Sequence, residues 1–481
     1  MTILNERGLF WWHHDPIPEK HFAPDSSVAG LLKIHDDGRT TLELDGCLTR
    51  ENGIKLFLGQ DDAWLDGKQI QGILKGTNNH VLLSELSRYG GRYGSGLSYE
   101  NYFAAECLLS DLLTRPFKHL AFKEFEINLE GFEGWLRLGS IKIIRNKSSL
   151  SVRHQVPKQV NYTLEGGAKL KIKFGILAPI QGSHKDNKLE LQESATLVYS
   201  QRTTMVLNDV KRIFNSLDDL FTLLTDSEYP LAWPSVLLKI KSMPYPIKFK
   251  FYFVRIVDNS DPPSPPESHT CPTNFLQLRD RFGEIVSRWL SKKEKIGSGF
   301  YLYTGLRRGM RLYTEHQFVS LVWGLESFHR STEFTRAPLK KLEDKIARIL
   351  QQITCRRDRE WAKRQLRAEP SLEARLFEVL STVKIDMSPD KLRIFCCECA
   401  KRRNDLSHFG APQDQDVSPP SFYEDLQKKI GALSILYHLL ILTEIGIEED
   451  SVRSWVNQGF RSYRIKNTLI EAGLLHEDTM S

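Results

Sequence analysis

Apolar and polar positions alternate with a period of two through the first half of the chain, whereas apolar positions recur every three or four residues in the second half. VAGLLKI (28–34), a turn at Asp36-Asp37-Gly38 and TTLELDG (40–46) read as a hairpin, since alternation turns one side of each strand inward and the glycine admits the turn. Further strands are expected at GWLRLGSIKII (134–144), SLSVRHQ (149–155), on both sides of Gly166-Gly167, at TLVYSQ (196–201) and at IKFKFYFVRIV (247–257). One helical stretch, 207–226, interrupts them. Many strands joined by glycine-rich turns imply a sandwich or barrel. GGRYGSG (90–96) lacks the Lys-Ser/Thr of a phosphate loop and reads as a flexible turn.

DNSDPPSPPESHTCPT (258–273) carries two proline pairs, which exclude helix and central strand, so a linker or crossing loop is expected there. It separates a strand-rich domain (1–257) from a helical one (274–481), giving an α+β multidomain chain. In the helical part Phe318, Leu321, Val322, Leu325 and Phe328 form one apolar stripe, and helices follow at 338–354 and 371–384. Ser388-Pro389 places an N-cap before a proline at the first helical position and opens a helix over 389–403. Ser421-x-x-Glu424 reads as a capping box for a last long helix, which buries Leu426, Ile430, Leu433, Tyr437 and Leu440 and stops at Gly446. The second half is therefore read as an all-helical bundle.

Composition refines this picture modestly. A chain of 481 residues is too long for one ordinary core. The amino terminus lacks the pattern of a signal peptide, and the longest apolar run, 434–447, is too short to span a bilayer, so a cytoplasmic protein without membrane contact is expected. Seven cysteines suit a reducing compartment. Cys396 and Cys399 have zinc-knuckle spacing, but they share a helical stripe with Leu392 and Phe395 and read as packing thiols. His13, His14, Asp15 and His21 match no common metal spacing, and Trp11 and Trp12 read as sheet packing, so neither a metal nor a cofactor is expected. The net charge is +6, and residues 274–410 hold 28 Lys+Arg against 17 Asp+Glu, while 411–481 hold 6 against 11. This charge suits a polyanionic partner for 274–410, and solvated basic helix faces equally well.

That basic segment ends in KRRNDLSHFG (401–410). Arg-x-x-x-x-His occurs twice in the chain, at Arg403/His408 and at Arg311/His316, so spacing alone does not discriminate. By residue type, the pair suits RNA cleavage without metal. The 2′-OH is the nucleophile, a histidine moves protons near neutral pH, and an arginine fork holds charge growing on the phosphoryl oxygens. Arg403 and His408 fill these roles, and Asn404 would orient the histidine or hold a phosphate. Alternatively, Arg403 and Asn404 only satisfy the helix C-terminal carbonyls while His408 sits in a loop.

A helical bundle with Arg403-Asn404-Asp405-Leu406-Ser407-His408 near the end of its third main helix resembles the HEPN superfamily, whose preferred motif has Asn after the Arg. GLFWWHHDP followed by VAGLLKIHDDGRTTLELDG resembles the amino-terminal domain of ApeA-like anti-phage defence proteins. This resemblance, which covers nearly the whole chain, implies a strand-rich sensing domain before a HEPN ribonuclease. It also implies a homodimer or higher oligomer with both motifs at a shared cleft, a phage-derived trigger protein, and cleavage of cellular RNA with tRNA a strong candidate. On it, Arg403, His408 and Asn404 are catalytic, Glu326 and Asp405 accessory, and Lys401 and Arg402 RNA-binding. A second class, a non-catalytic RNA- or nucleotide-binding HEPN protein, would also fit the fold. The Arg311/His316 pair has Leu312 after its arginine and fits the motif poorly.

Overall fold

Gly30, Leu32 and Ile34, alternate residues of the strand Val28–His35, are buried because the sheet that holds them closes on itself. The computed structural model describes residues 2–48, 65–94, 96–111, 121–178, 190–240, 243–255, 263–296, 298–308, 310, 312–331, 337–366, 369–409 and 418–476. The chain divides into two compact units. One comprises Met1–Glu130, Gly139–Phe214 and Leu231–Asn259, and the other Gly131–Leu138, Asn215–Pro230 and Ser260–Ser481.

In the first unit, β1 (Thr2–Trp12), β2 (Val28–His35), β3 (Thr40–Leu44), β4 (Ile70–Leu74), β5 (His80–Arg92) and β6 (Tyr99–Ser110) form an antiparallel barrel in the order β6-β3-β2-β1-β4-β5, closed by pairing of β5 with β6. Phe10, Trp12, Leu32, Ile34, Leu42, Leu44, Ile70, Leu74, Val81, Leu83 and Tyr102 fill it. Gly38, at φ +79°, makes the β2–β3 turn, a conformation that side chains with a Cβ rarely adopt. Trp11 and Trp12 are both buried on β1.

Strands β7 (Phe122–Asn128), β10 (Val160–Thr163), β11 (Lys169–Leu177), β12 (Gln192–Met205), β13 (Ser235–Leu238) and β14 (Ile247–Phe253) continue the barrel wall as a sheet in the order β14-β13-β7-β12-β11-β10. The join is β6, which pairs with β3 through Asn101–Ala104 and with β14 through Glu106–Leu109. The hairpin β8 (Ile141–Arg145) and β9 (Leu150–His154) forms a separate two-stranded sheet.

The structure corrects two expectations here. The strand expected over 134–144 starts instead as a helical turn, α1 (Glu133–Leu136), because Trp135 is buried edge-on against Phe221 at 5.1 Å, and only 141–145 is strand. Gly90 and Gly91, expected in a flexible turn, pair with Asn101 and Glu100 of the long strand β6; Ser95 lies outside the described residues.

Helix α2 (Leu207–Thr225) runs from the first unit into the second. The second unit then contains α3 (Phe275–Leu278), α4 (Phe282–Ile296), α5 (Ser298–Arg307), α6 (Thr314–Ser331), α7 (Ala337–Gln352), α8 (Arg356–Gln365), α9 (Leu372–Leu380), α10 (Pro389–Phe409), α11 (Pro419–Glu444), α12 (Glu449–Gln458) and α13 (Ser462–Glu471). Phe318, Leu321, Val322, Leu325 and Phe328 of α6 are all buried, as are Leu426, Leu433, Tyr437 and Leu440 of α11. Ser418, rather than Ser421, caps α11, because Pro419 and Pro420 have no N–H to satisfy and fit the first turn. Residues 258–262 lie outside the described residues, and the remainder of the proline-rich stretch packs within the second unit: Thr273 Oγ1 donates to the Leu224 carbonyl at 2.9 Å.

Buried charge ties Asn215–Pro230 into this unit. Asp226 pairs with Arg307 at 2.7 Å and with Arg461, while Lys293 reaches Asp219 at 2.6 Å and Arg308 reaches Asp218 at 3.0 Å. Fully buried His438 lies 2.9 Å from the Leu223 carbonyl through Nε2 and 3.0 Å from Arg307 through Nδ1. A neutral ring fits both contacts, with Nε2–H donating and Nδ1 accepting. Burial lowers the His438 pKa to about 4.

Candidate active site

The helix expected to end at 403 continues to Phe409, so the whole RNDLSH motif is helical and does not lie in a turn. Continuous i to i−4 bonding carries α10 on, and Asp405 is buried within its last turns. At about 100° per residue, Arg403 and His408 lie roughly 140° apart around α10 and about 7.5 Å apart along it. Asn404 and His408, four residues apart, share a face with Lys401, and all three are exposed.

Arg403 is turned toward α6. Its guanidinium lies 3.7 Å from Glu326 and donates to Asn404 Oδ1 at 3.2 Å, and its buried Nε has no hydrogen-bond partner among the described residues. Glu326 is itself held by Arg375 at 2.9 Å and by Arg330 at 3.0 Å. Arg375, buried on α9, also reaches Glu369 at 2.7 Å. Two acids and three arginines from α6, α9, α10 and the segment before α9 therefore converge, which fixes one face of the Arg403 guanidinium.

The other motif residues face elsewhere. Arg402 donates to Asp425 on α11 at 2.9 Å, lies 5.2 Å over the Phe422 ring and stands 3.9 Å from Asp405. Asp425 also accepts from Lys429. Burial alone would raise the Asp425 carboxyl, but these two cations hold it below the usual carboxylate range. The structure thus brings Arg403 together with Asn404 and Glu326, and Arg402 with Asp405. Within one chain it does not turn Arg403 and His408 to the same side. Arg311 lies outside the described residues, and His316 is exposed at the start of α6. Cys396 and Cys399 are buried; burial pushes the Cys396 thiol up to about 12 and raises that of Cys399 as well.

Arg375, Arg330 and Glu369 are members of this cluster that sequence reasoning does not single out. Arg330 stands four residues after Glu326, a signal available in the sequence. Arg375 and Glu369 join only through the tertiary fold.

Residues 6–289 match the family model described as ApeA N-terminal domain 1, and residues 319–451 match that described as Apea-like HEPN. No curated protein and no solved structure matches the chain. No helix among the described residues is long and apolar enough to cross a membrane.

Proposed function

We propose, from the fact that this chain belongs to the ApeA family and carries an ApeA-like HEPN domain, that it is a metal-independent endoribonuclease of anti-phage defence. The observation that carries this reading is the intact Arg403-Asn404-x-x-x-His408 motif on α10, with Arg403 held from behind by Glu326. His408 moves protons to or from the attacking 2′-OH and the leaving 5′-oxygen, help typically worth about 10²–10⁴-fold. Arg403 stabilises charge on the phosphoryl oxygens through donors that Glu326 and Asn404 leave open. Glu326 is a positioning residue, and Arg375 positions Glu326. The products are a 2′,3′-cyclic phosphate and a 5′-OH, and DNA is resistant because it lacks the nucleophile.

The separation of Arg403 and His408 around α10 favours a site built from two copies. In a twofold homodimer, the arginine face of one helix and the histidine face of the other would meet over one phosphate. Asn404 and Lys401, on the histidine face, would hold the neighbouring backbone. A cytoplasmic protein acting on tRNA or other cellular RNA after a phage-derived trigger follows from the same reading.

The test is to map 5′-OH RNA ends in infected cells carrying the gene. New ends with the wild-type chain and none with His408→Ala support the proposal. Protection from phage without new ends overturns it.

A further inference from the structure

Helices α7 and α8 differ from the rest of the helical unit in having almost no interior. Between Lys340 and Leu366, Ala362 is the one buried side chain. Residues 337–366 nonetheless hold 9 Lys+Arg against 4 Asp+Glu, nearly the whole net charge of +6. On α8 the basic residues are not scattered. At about 100° per residue, Arg356, Arg357, Arg359, Lys363 and Arg364 fall within an arc of roughly 160°, and Ala362 lies outside it. Trp361 borders that arc beside Arg357 and is 62% exposed. Arg359 is used internally, donating to the Ile353 carbonyl at 2.9 Å and 2.6 Å, and so fixes the turn between the two helices. Arg356, Arg357 and Lys363 form no ion pair among the described residues. The basic residues of α7, Lys340, Lys341, Lys345 and Arg348, likewise share one side, with Leu342, Ile346 and Ile349 on the other.

The roots of this helical pair stand at the candidate site. Arg330, in the last turn of α6, precedes it, and Glu369 and Arg375 follow it. Arg330 and Glu369 are 3.6 Å apart, and both Arg330 and Arg375 hold Glu326, the partner of Arg403. The ion-pair cluster that fixes Arg403 therefore also clasps both ends of the pair.

We infer that α7 and α8 form an RNA-binding arm, which grips a single-stranded segment of the substrate through backbone phosphates on the basic arc and a base stacked on Trp361. This inference rests on the ribonuclease reading for its substrate. Charge complementarity selects a polyanion, and an exposed tryptophan beside a cationic arc suits unpaired bases, which offer a stacking face. The clasped roots would set the bound strand beside Arg403. A second copy of the chain is a weaker occupant, since the two basic arcs would repel each other.

The experiment uses the full-length chain carrying His408→Ala, so that RNA is not consumed, and a fluorescent single-stranded RNA of mixed sequence followed by anisotropy. Trp361→Ala, and separately the triple change Arg356→Ala, Arg357→Ala and Lys363→Ala, are each expected to weaken binding at least tenfold. The triple change should also flatten the dependence of log K on log salt by about two, near 0.7 for each phosphate no longer neutralised. In the wild-type background both variants should cleave a dinucleotide, too short to reach the arm, at the unaltered rate, with unchanged circular dichroism. Unaltered RNA affinity in both variants, or no binding by the parent chain, overturns the inference. So does a loss of dimer mass in light scattering with RNA affinity intact, which would make the arm an interface between copies. Arm-dependent binding without any cleavage by the wild-type chain would leave the arm standing and remove the nuclease reading instead.

Discussion

Glu326 shows how much a single side chain can decide in this unit. It accepts from Arg375 and Arg330 and lies against Arg403, so its charge is shared among three cations. Replacing it with Gln should lower cleavage about 10–100-fold, an effect comparable to losing a supporting partner in other functional sites, while Arg403 remains in place. Arg375→Ala leaves Glu326 and Glu369 without their buried partner and should lower stability by about 3 kcal/mol, read from urea unfolding. His438 gives a pH prediction. Its folded pKa, about 4, lies below the ordinary value of 6.5, so the unfolded chain binds a proton over a range where the folded chain does not. Stability from this group is therefore present above pH 6.5 and lost as pH falls toward 4, by up to about 1.4 kcal/mol per pH unit. His438→Gln should flatten the profile in that window; an identical slope in both proteins would contradict the assignment.

At the scale of elements, the hairpin at 28–46, the strands around Gly166-Gly167 and the apolar stripes of α6 and α11 are legible in the sequence because local periodicity and burial agree there. Strand β6 is not, since its pattern serves two partners along one edge and a third along the other. The polar residues after position 403 suggest a stop, yet α10 continues, because Arg402 is held by α11 and Asp405 is buried beside it. Of the residues proposed for the site, Arg403, Asn404, His408 and Glu326 are named from the sequence. Arg375 cannot, because its bond to Glu326 joins residues 49 apart in the chain. The fragment 274–481, expected from sequence to be a self-contained domain, omits Trp135, Phe221 and the acids of 215–230 that pack within the helical unit. It should be poorly soluble alone. A fragment that refolds with a cooperative unfolding transition would contradict this.

For the whole molecule, the two-copy site makes a sharp prediction. On the proposed two-copy site, Arg403→Ala and His408→Ala chains should each be inactive alone while a mixed dimer would keep one complete site, so mixing and refolding or co-expressing them should restore about a quarter of the wild-type activity. No recovery, with mixed dimers shown to form, would place the arginine and histidine of each site in the same chain. The chain passes between the strand-rich unit and the helical unit within α2 as well as at the proline-rich stretch.

RNA cleavage by Arg403 and His408 without metal is tested most directly by incubating purified full-length protein with total RNA in EDTA. The wild-type chain is compared with Arg403→Ala and His408→Ala, and the fold of each is confirmed by circular dichroism. The wild-type chain should produce fragments with 5′-OH ends, and both variants should leave the RNA intact. Cleavage abolished by EDTA, or undiminished in both variants, would contradict the account.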